Sequence, residues 1–233
     1  MGMIDFLKIK RENDAMNDIG TFDGQYSEYV PDIVADGHPR EDTYRICDHT
    51  EALTTIGAII AHGDKDVLAL NFANANVPGG GYIIGAKAQE EDICRASGLY
   101  YTIRDTVEFY NANHFTDARG YIHGMIYSAR VPVIRDDSLE ILDEPVHCGF
   151  ITSPAVNRYA AILSHSKANE LMEERIRRII ALAVQKRPDV LILGKYGCGA
   201  FGNHWDEVVP MFERAINDIT GGSSMDIIFA IPF

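Results

Sequence analysis

Val67-Leu68-Ala69-Leu70-Asn71-Phe72-Ala73-Asn74-Ala75-Asn76-Val77-Pro78-Gly79-Gly80-Gly81 is the stretch on which the fold turns. Val67–Phe72 is a short, mostly apolar run of strand length, the pattern of a strand covered on both faces of a sheet. It runs into a loop of short amides and three glycines. Such glycines let the backbone come close to a ligand and aim successive N–H groups at an anion, forming a nest. Pro78 fixes the entry, and Asn74 and Asn76 carry amides suited to sugar hydroxyls. A flexible turn has the same composition.

Working outward, Glu51–His62 has helical apolar spacing, with Leu53, Ile56, Ile59 and Ile60 on one side. Glu90–Arg104 reads as one helix. Tyr121–Ser128 and Gly149–Thr152 read as strands, with Arg135-Asp136-Asp137 in a turn or loop between them. Lys167–Arg187 carries a long apolar stripe from Ala168 to Val184, and Pro188 ends it. Val190–Gly194 reads as a buried strand, Gly197–Gly202 as a loop, Trp205–Ile219 as a helix and Met225–Ile231 as a final strand. Residues 1–50 read as a polar, mostly helical lead-in followed by a loop. Strands alternating with helices imply a layered α/β domain with a largely parallel central sheet. Ligands of such sheets sit outside the carboxyl ends of the strands, and both glycine loops directly follow strands.

Gln89-Glu90-Glu91 opens the helix after the first loop. Acids are favoured at a helix start in any case, which is their plain reading. Adjacent residues lie about 100° apart around a helix, so the two carboxylates should have different tasks. Glycosidic cleavage passes through an oxocarbenium-like state and needs a carboxyl group that protonates the leaving oxygen and then activates water. Partial burial would raise the pKa of such a glutamate.

The second loop, Gly197-Cys198-Gly199-Ala200-Phe201-Gly202, matches the dinucleotide pattern G-x-G-x-x-G. Only 31 residues follow it, too few for the strands a dinucleotide fold still requires. A diphosphate cradle at a helix start remains. Phe201 reads either as a ligand contact or as core, Ser153-Pro154 as an adenosine contact or a strand end, and His204 as a solvated helix start.

The chain has 233 residues, 46% of them apolar, which suits one domain over 1–233 with 1–50 as an N-terminal extension. No apolar run reaches the roughly 18 residues of a membrane span, and Met1-Gly2-Met3-Ile4-Asp5-Phe6 does not read as a signal peptide or a myristoylation site. Cys47, Cys94, Cys148 and Cys198 lie about 50 residues apart, without zinc-site spacing, so no metal and a reducing cytoplasm are expected. The net charge of -13 argues against general nucleic-acid or anionic-membrane binding. It also opposes a long polyanion, which local N–H groups would have to hold.

Gly79-Gly80-Gly81, seven residues, then Gln89-Glu90-Glu91 resembles the signature of poly(ADP-ribose) glycohydrolases. The surroundings look like the bacterial-type branch: Asn71-Phe72-Ala73, Arg95–Tyr100, Val131–Asp137, Leu142–Pro145, Ile151–Ala155 and Gly197–Asn203, in the family's order. The resemblance implies a macrodomain-like three-layer α/β/α sandwich with a mixed, largely parallel central sheet. It implies hydrolysis of the ribose–ribose bond of poly(ADP-ribose), releasing ADP-ribose, without a cofactor. By that pattern Glu91 is the general acid/base, Glu90 binds and orients ribose hydroxyls, and Gln89 braces the loop. Gly79–Gly81 holds phosphate and ribose, and the second loop holds the diphosphate with Phe201 against the terminal ribose. Cys198 is then a small loop residue. Lys195 and Tyr196 depart from the family, which carries a small residue and Trp there. Two other readings are an ADP-ribose reader without hydrolysis, and a hydrolase acting on another ADP-ribosyl linkage.

Overall fold

A computed structural model describes residues 5–114, 116, 120–160 and 162–232; residues 1–4, part of the stretch read for a leader, lie outside them. Seven strands form one sheet: β1 (Tyr26–Val30), β2 (Thr50–Glu51), β3 (Val67–Phe72), β4 (Met125–Arg135), β5 (Ile141–Ser153), β6 (Val190–Leu193) and β7 (Asp226–Ala230). Their order is β1-β4-β5-β3-β6-β7-β2. β5, β3, β6, β7 and β2 run parallel, while β4 is antiparallel to both its neighbours, β1 and β5. The expected mixed, largely parallel sheet is present.

Strand alternation sends neighbouring β3 side chains to opposite faces, each under a helical layer. Leu68 and Leu70 join Met172 and Ile176 of α6 (His165–Lys186) and Phe212 of α7 (Trp205–Ile219). Val67 and Ala69 join Ile59, Ile93, Leu99 and Phe109, which come from α2 (Thr55–Ala61), α3 (Gln89–Ala96), α4 (Leu99–Ile103) and α5 (Val107–His114). That is the three-layer sandwich.

Several expected boundaries move, for local reasons. The helix read over Glu51–His62 begins only at Thr55, because Thr54 takes extended backbone and caps it through Oγ1 to the Gly57 N–H at 2.9 Å; Glu51 belongs to β2 instead. The single helix read over Glu90–Arg104 is two. Ser97 is extended (φ −144°, ψ 175°) and bridges to Val133, and the Gly98 N–H donates to Pro132 O. The break is enforced by β4, which no helical periodicity reveals. The strand read over Tyr121–Ser128 starts at Met125, since Tyr121 sits at φ +60°. The strand read over Gly149–Thr152 is the end of the 13-residue β5. Arg135 closes β4, so the turn itself begins at Asp136. The polar lead-in is also more than helix and loop. It contributes α1 (Phe6–Asp18), the edge strand β1 and the short β2.

Candidate active site

β3 and β6 are neighbours, so the loops leaving their carboxyl ends lie side by side. A methyl group added to Gly194, just after β6, would lie 3.1 Å from the Phe72 ring at the end of β3. Hydrogen bonds lock this edge. The Ala73 N–H donates to Ser153 O, and the Tyr196 hydroxyl donates to Ser153 Oγ at 3.1 Å. Ser153 therefore closes β5 and anchors both loops. Tyr196 is fully buried, its ring 5.6 Å from that of Phe72, and fills the place where Trp was expected.

The first loop turns on two residues with left-handed backbone, Gly79 (φ +67°) and Gly80 (φ +57°). A side chain at Gly80 has no room, since an added methyl would lie 2.5 Å from Glu91 Oε1 and 3.1 Å from Glu90 Oε2. The loop is thus wrapped around the two carboxylates. Gly81 N–H donates to Glu91 Oε1 at 2.8 Å. The other N–H groups are also spent inside the protein, Gly80 on Val77 O and Tyr82 on Gly79 O. Within this nest the Gly81 N–H seats a carboxylate of the chain itself. A nest and a carboxylate are as well matched as a nest and a phosphate, and the carboxylate is tethered ten residues away.

Glu90 and Glu91 open α3 but do different things. Glu90 is 3% exposed; Oε1 accepts from Asn71 Nδ2 at 3.3 Å and Oε2 from the Asn74 N–H at 2.7 Å. Burial pushes its carboxyl up to about 8, Glu91's charge adds to this, and the donors from Asn74 and Asn71 offset only part. Glu91 is 8% exposed, and while Oε1 is held by Gly81, Oε2 is buried without a hydrogen-bond partner among the described residues. One oxygen is fixed and the other uncommitted.

Gln89 spends its amide on the frame. Its Oε1 accepts from the Phe72 N–H at 2.8 Å, while Nε2 donates to Leu70 O at 2.8 Å and to Thr55 Oγ1 at 3.2 Å. It clamps α3 to the end of β3 and to α2. Asn74 Oδ1 accepts from the N–H groups of Asn76 and Val77, an Asx turn that shapes the loop. Asn76 is exposed. Asn71 is the residue that sequence reasoning misses, while Ser153 ends β5, as one of its two readings had it. A polar side chain on an otherwise apolar buried strand was the available signal for Asn71.

The second loop has left-handed backbone at Gly197 (φ +72°) and Gly202 (φ +70°). Asn203 fixes its form: Nδ2 donates to Gly197 O and Val156 O, and the Asn203 N–H donates to Gly197 O. Gly199, Ala200 and Phe201 donate their N–H groups to no protein acceptor among the described residues. Gly197, Cys198, Gly199, Ala200 and Phe201 all line a cavity of about 760 Å³. Gln89, Phe72, Thr54, Thr55 and Asp137 lie on other walls of it. Glu90, Glu91 and Gly79–Gly81 are not on its wall, and Gln89 joins the two regions. Burial pushes the Cys198 thiol up to about 11, so it is not a ready nucleophile. Phe201 is partly buried and lines the cavity while also packing on the core. His204 stands exposed at the start of α7 and makes no capping bond.

With this geometry in place, the comparisons with known proteins agree on one group. Residues 25–136 match the sequence model of the microbial-type PARG catalytic domain, PARG being poly(ADP-ribose) glycohydrolase. No curated protein matches the chain. Among solved structures, poly(ADP-ribose) glycohydrolase from Thermomonospora curvata bound to the inhibitor ADP-HPD is 28% identical, with a TM-score of 0.82 over 97% of this chain and 92% of that one. The enzyme from Deinococcus radiodurans in complex with ADP-ribose is 26% identical, with a TM-score of 0.74 over 100% of this chain and 92% of that one.

Proposed function

We propose that this chain, a relative of the microbial-type poly(ADP-ribose) glycohydrolases, hydrolyses the ribose–ribose O-glycosidic bond of poly(ADP-ribose) and releases ADP-ribose. The observation that carries the chemistry is the asymmetry of Glu91, with Oε1 seated on the Gly81 N–H and Oε2 buried without a partner among the described residues. Oε2 is the oxygen from which a proton passes to the departing ribose oxygen. Charge then builds on the ribose left behind as an oxocarbenium-like centre. The carboxylate formed takes a proton from the water that attacks that centre. Gly81 N–H and the start of α3 steady the negative charge while the proton is away.

Glu90 is the positioning carboxylate, held by Asn71 and Asn74, and its task is to orient ribose hydroxyls. The free N–H groups of Gly199, Ala200 and Phe201 take the diphosphate, and Phe201 abuts the ribose. Gln89, Asn74 and Asn76 act by shaping and bordering the site. The chain works as a single domain. No described helix is long and apolar enough to cross a membrane, and the four cysteines are free thiols, which fits a reducing cytoplasm.

The test is release of ADP-ribose from poly(ADP-ribose) by the wild-type protein and by Glu91→Gln. Loss of the acid should lower the rate by at least about 10²-fold. Full turnover by Glu91→Gln would refute its role. ADP-ribose binding without any wild-type turnover would make the protein a reader of the modification.

A further inference from the structure

The sequence has seven lysines. Five are neutralised by acids: Lys8 by Glu12, Lys10 by Asp14, Lys65 by Asp226, Lys167 by Glu170 and Lys186 by Glu28. Lys87 and Lys195 make no ion pair and no side-chain hydrogen bond among the described residues, and both stand on the wall of the same cavity. Arg45, Arg130, Arg175 and Arg187 also make no ion pair among the described residues, but only Lys87 and Lys195 of these cations line that cavity. The acids on that wall show the opposite pattern. Asp92 is held by Arg95 at 2.6 Å, Asp137 by the Thr54 hydroxyl at 2.5 Å, and Asp136 by the N–H groups of Ser138 and Glu140. Asp136 and Asp137 keep their charge but are engaged in hydrogen bonds within the wall, whereas the two ammonium groups have no side-chain partner among the described residues and are the wall's uncommitted cationic donors. Lys195 also sits two residues before the loop whose Gly199, Ala200 and Phe201 N–H groups have no protein acceptor among the described residues.

We infer that Lys87 and Lys195 are binding residues that draw a diphosphate group into this cavity, with Lys195 beside the second glycine loop and Lys87 on the wall next to Gln89. For ADP-ribose this rests on the function proposed above; for the diphosphate group alone it rests on the cavity. Two local ammonium groups supply attraction that the acidic surface as a whole cannot. Their heads are exposed, so each contributes a modest, salt-sensitive increment.

Calorimetric titration of ADP-ribose and of inorganic pyrophosphate into the wild type, Lys87→Gln, Lys195→Gln and Lys195→Arg tests the assignment. Each Gln variant should bind about two- to fivefold more weakly at low ionic strength, and the gap to wild type should narrow as salt is raised. Lys195→Arg keeps the charge and should restore most of the loss. Gln variants that bind both ligands as tightly as wild type would overturn the assignment. Pyrophosphate bound through the lysines, with ADP-ribose not bound at all, would uphold it while sinking the proposed function. A wild type that binds neither ligand would overturn both.

Discussion

Glu90 has traded water for the protein interior, being 3% exposed, and its chemistry follows from that exchange. An ordinary glutamate releases its proton near 4.5, whereas burial holds this one up to about 8. The folded protein therefore keeps a proton that the unfolded chain gives up. The group's favourable contribution is complete below about 4.5 and is lost as pH rises through about 8, at roughly 1.4 kcal/mol for each pH unit between those limits. Urea unfolding at about pH 5 and about pH 8.5 should show the wild type weakening at the higher pH, while Glu90→Gln should weaken far less. An equal loss in both would remove Glu90 as the cause. The glycines make a sharper contrast. Gly80→Ala forces a methyl against Glu91 Oε1 at a left-handed φ, so it should lose most activity and about 1–3 kcal/mol of stability. Gly199→Ala meets open space at an ordinary φ, and thermal unfolding should place it close to wild type. If the two variants melted together, the close approach at Gly80 would be of no consequence.

At the scale of elements, α3 carries both carboxylates, so whatever holds α3 also aims them. Gln89 pins its first turn, and Asn13 of α1 pins its last. Asn13 is fully buried, its Nδ2 donating to Arg95 O at 2.9 Å and Cys94 O at 3.4 Å while its Oδ1 accepts from Arg135 Nε. Asn13→Ala leaves those carbonyls without their donor and should cost about 1–3 kcal/mol. Because α3 would shift with it, kcat should fall even at temperatures where the fold persists. A stability loss with kcat untouched would show that the opposite end of α3 alone sets the geometry. The grip of α1 on α3 also shows why a lead-in that reads as a polar helix matters for the chemistry. One asparagine among charged residues gives no sign in the sequence that it is interior. Nor does apolar spacing show that α3 stops at Ala96, since Ser97 is drawn into extended backbone by a strand about 35 residues later.

For the whole molecule, charge is the governing quantity. Long-range repulsion between a chain of net charge -13 and a polyanion reaches about 30 Å at 10 mM salt but only about 8 Å near physiological ionic strength. Hydrolysis of long polymers relative to short oligomers at subsaturating substrate should therefore improve as salt is raised between those limits. A falling ratio would mean that a basic track outside the cavity guides the polymer. The sequence by itself determined the layered α/β plan, because a buried apolar strand and a 3.6-residue stripe each dictate their own local geometry. It also determined that glycine loops follow β3 and β6, and that a pair of acids opens α3. Only the tertiary structure decided what those loops hold. The first loop closes on Glu91, whose Oε1 accepts from the Gly81 N–H at 2.8 Å. In the second, the Gly199, Ala200 and Phe201 N–H groups meet no protein acceptor among the described residues, while Asn203 and Tyr196 tie the loop to Val156 O and Ser153 Oγ. Which lysines remain unpaired was likewise invisible, because pairing depends on which acids the fold brings within reach. Thus the residues from Val67 to Gly81 name the site, and the packing around them commits the first loop to the carboxylates and leaves N–H groups of the second without a protein acceptor among the described residues.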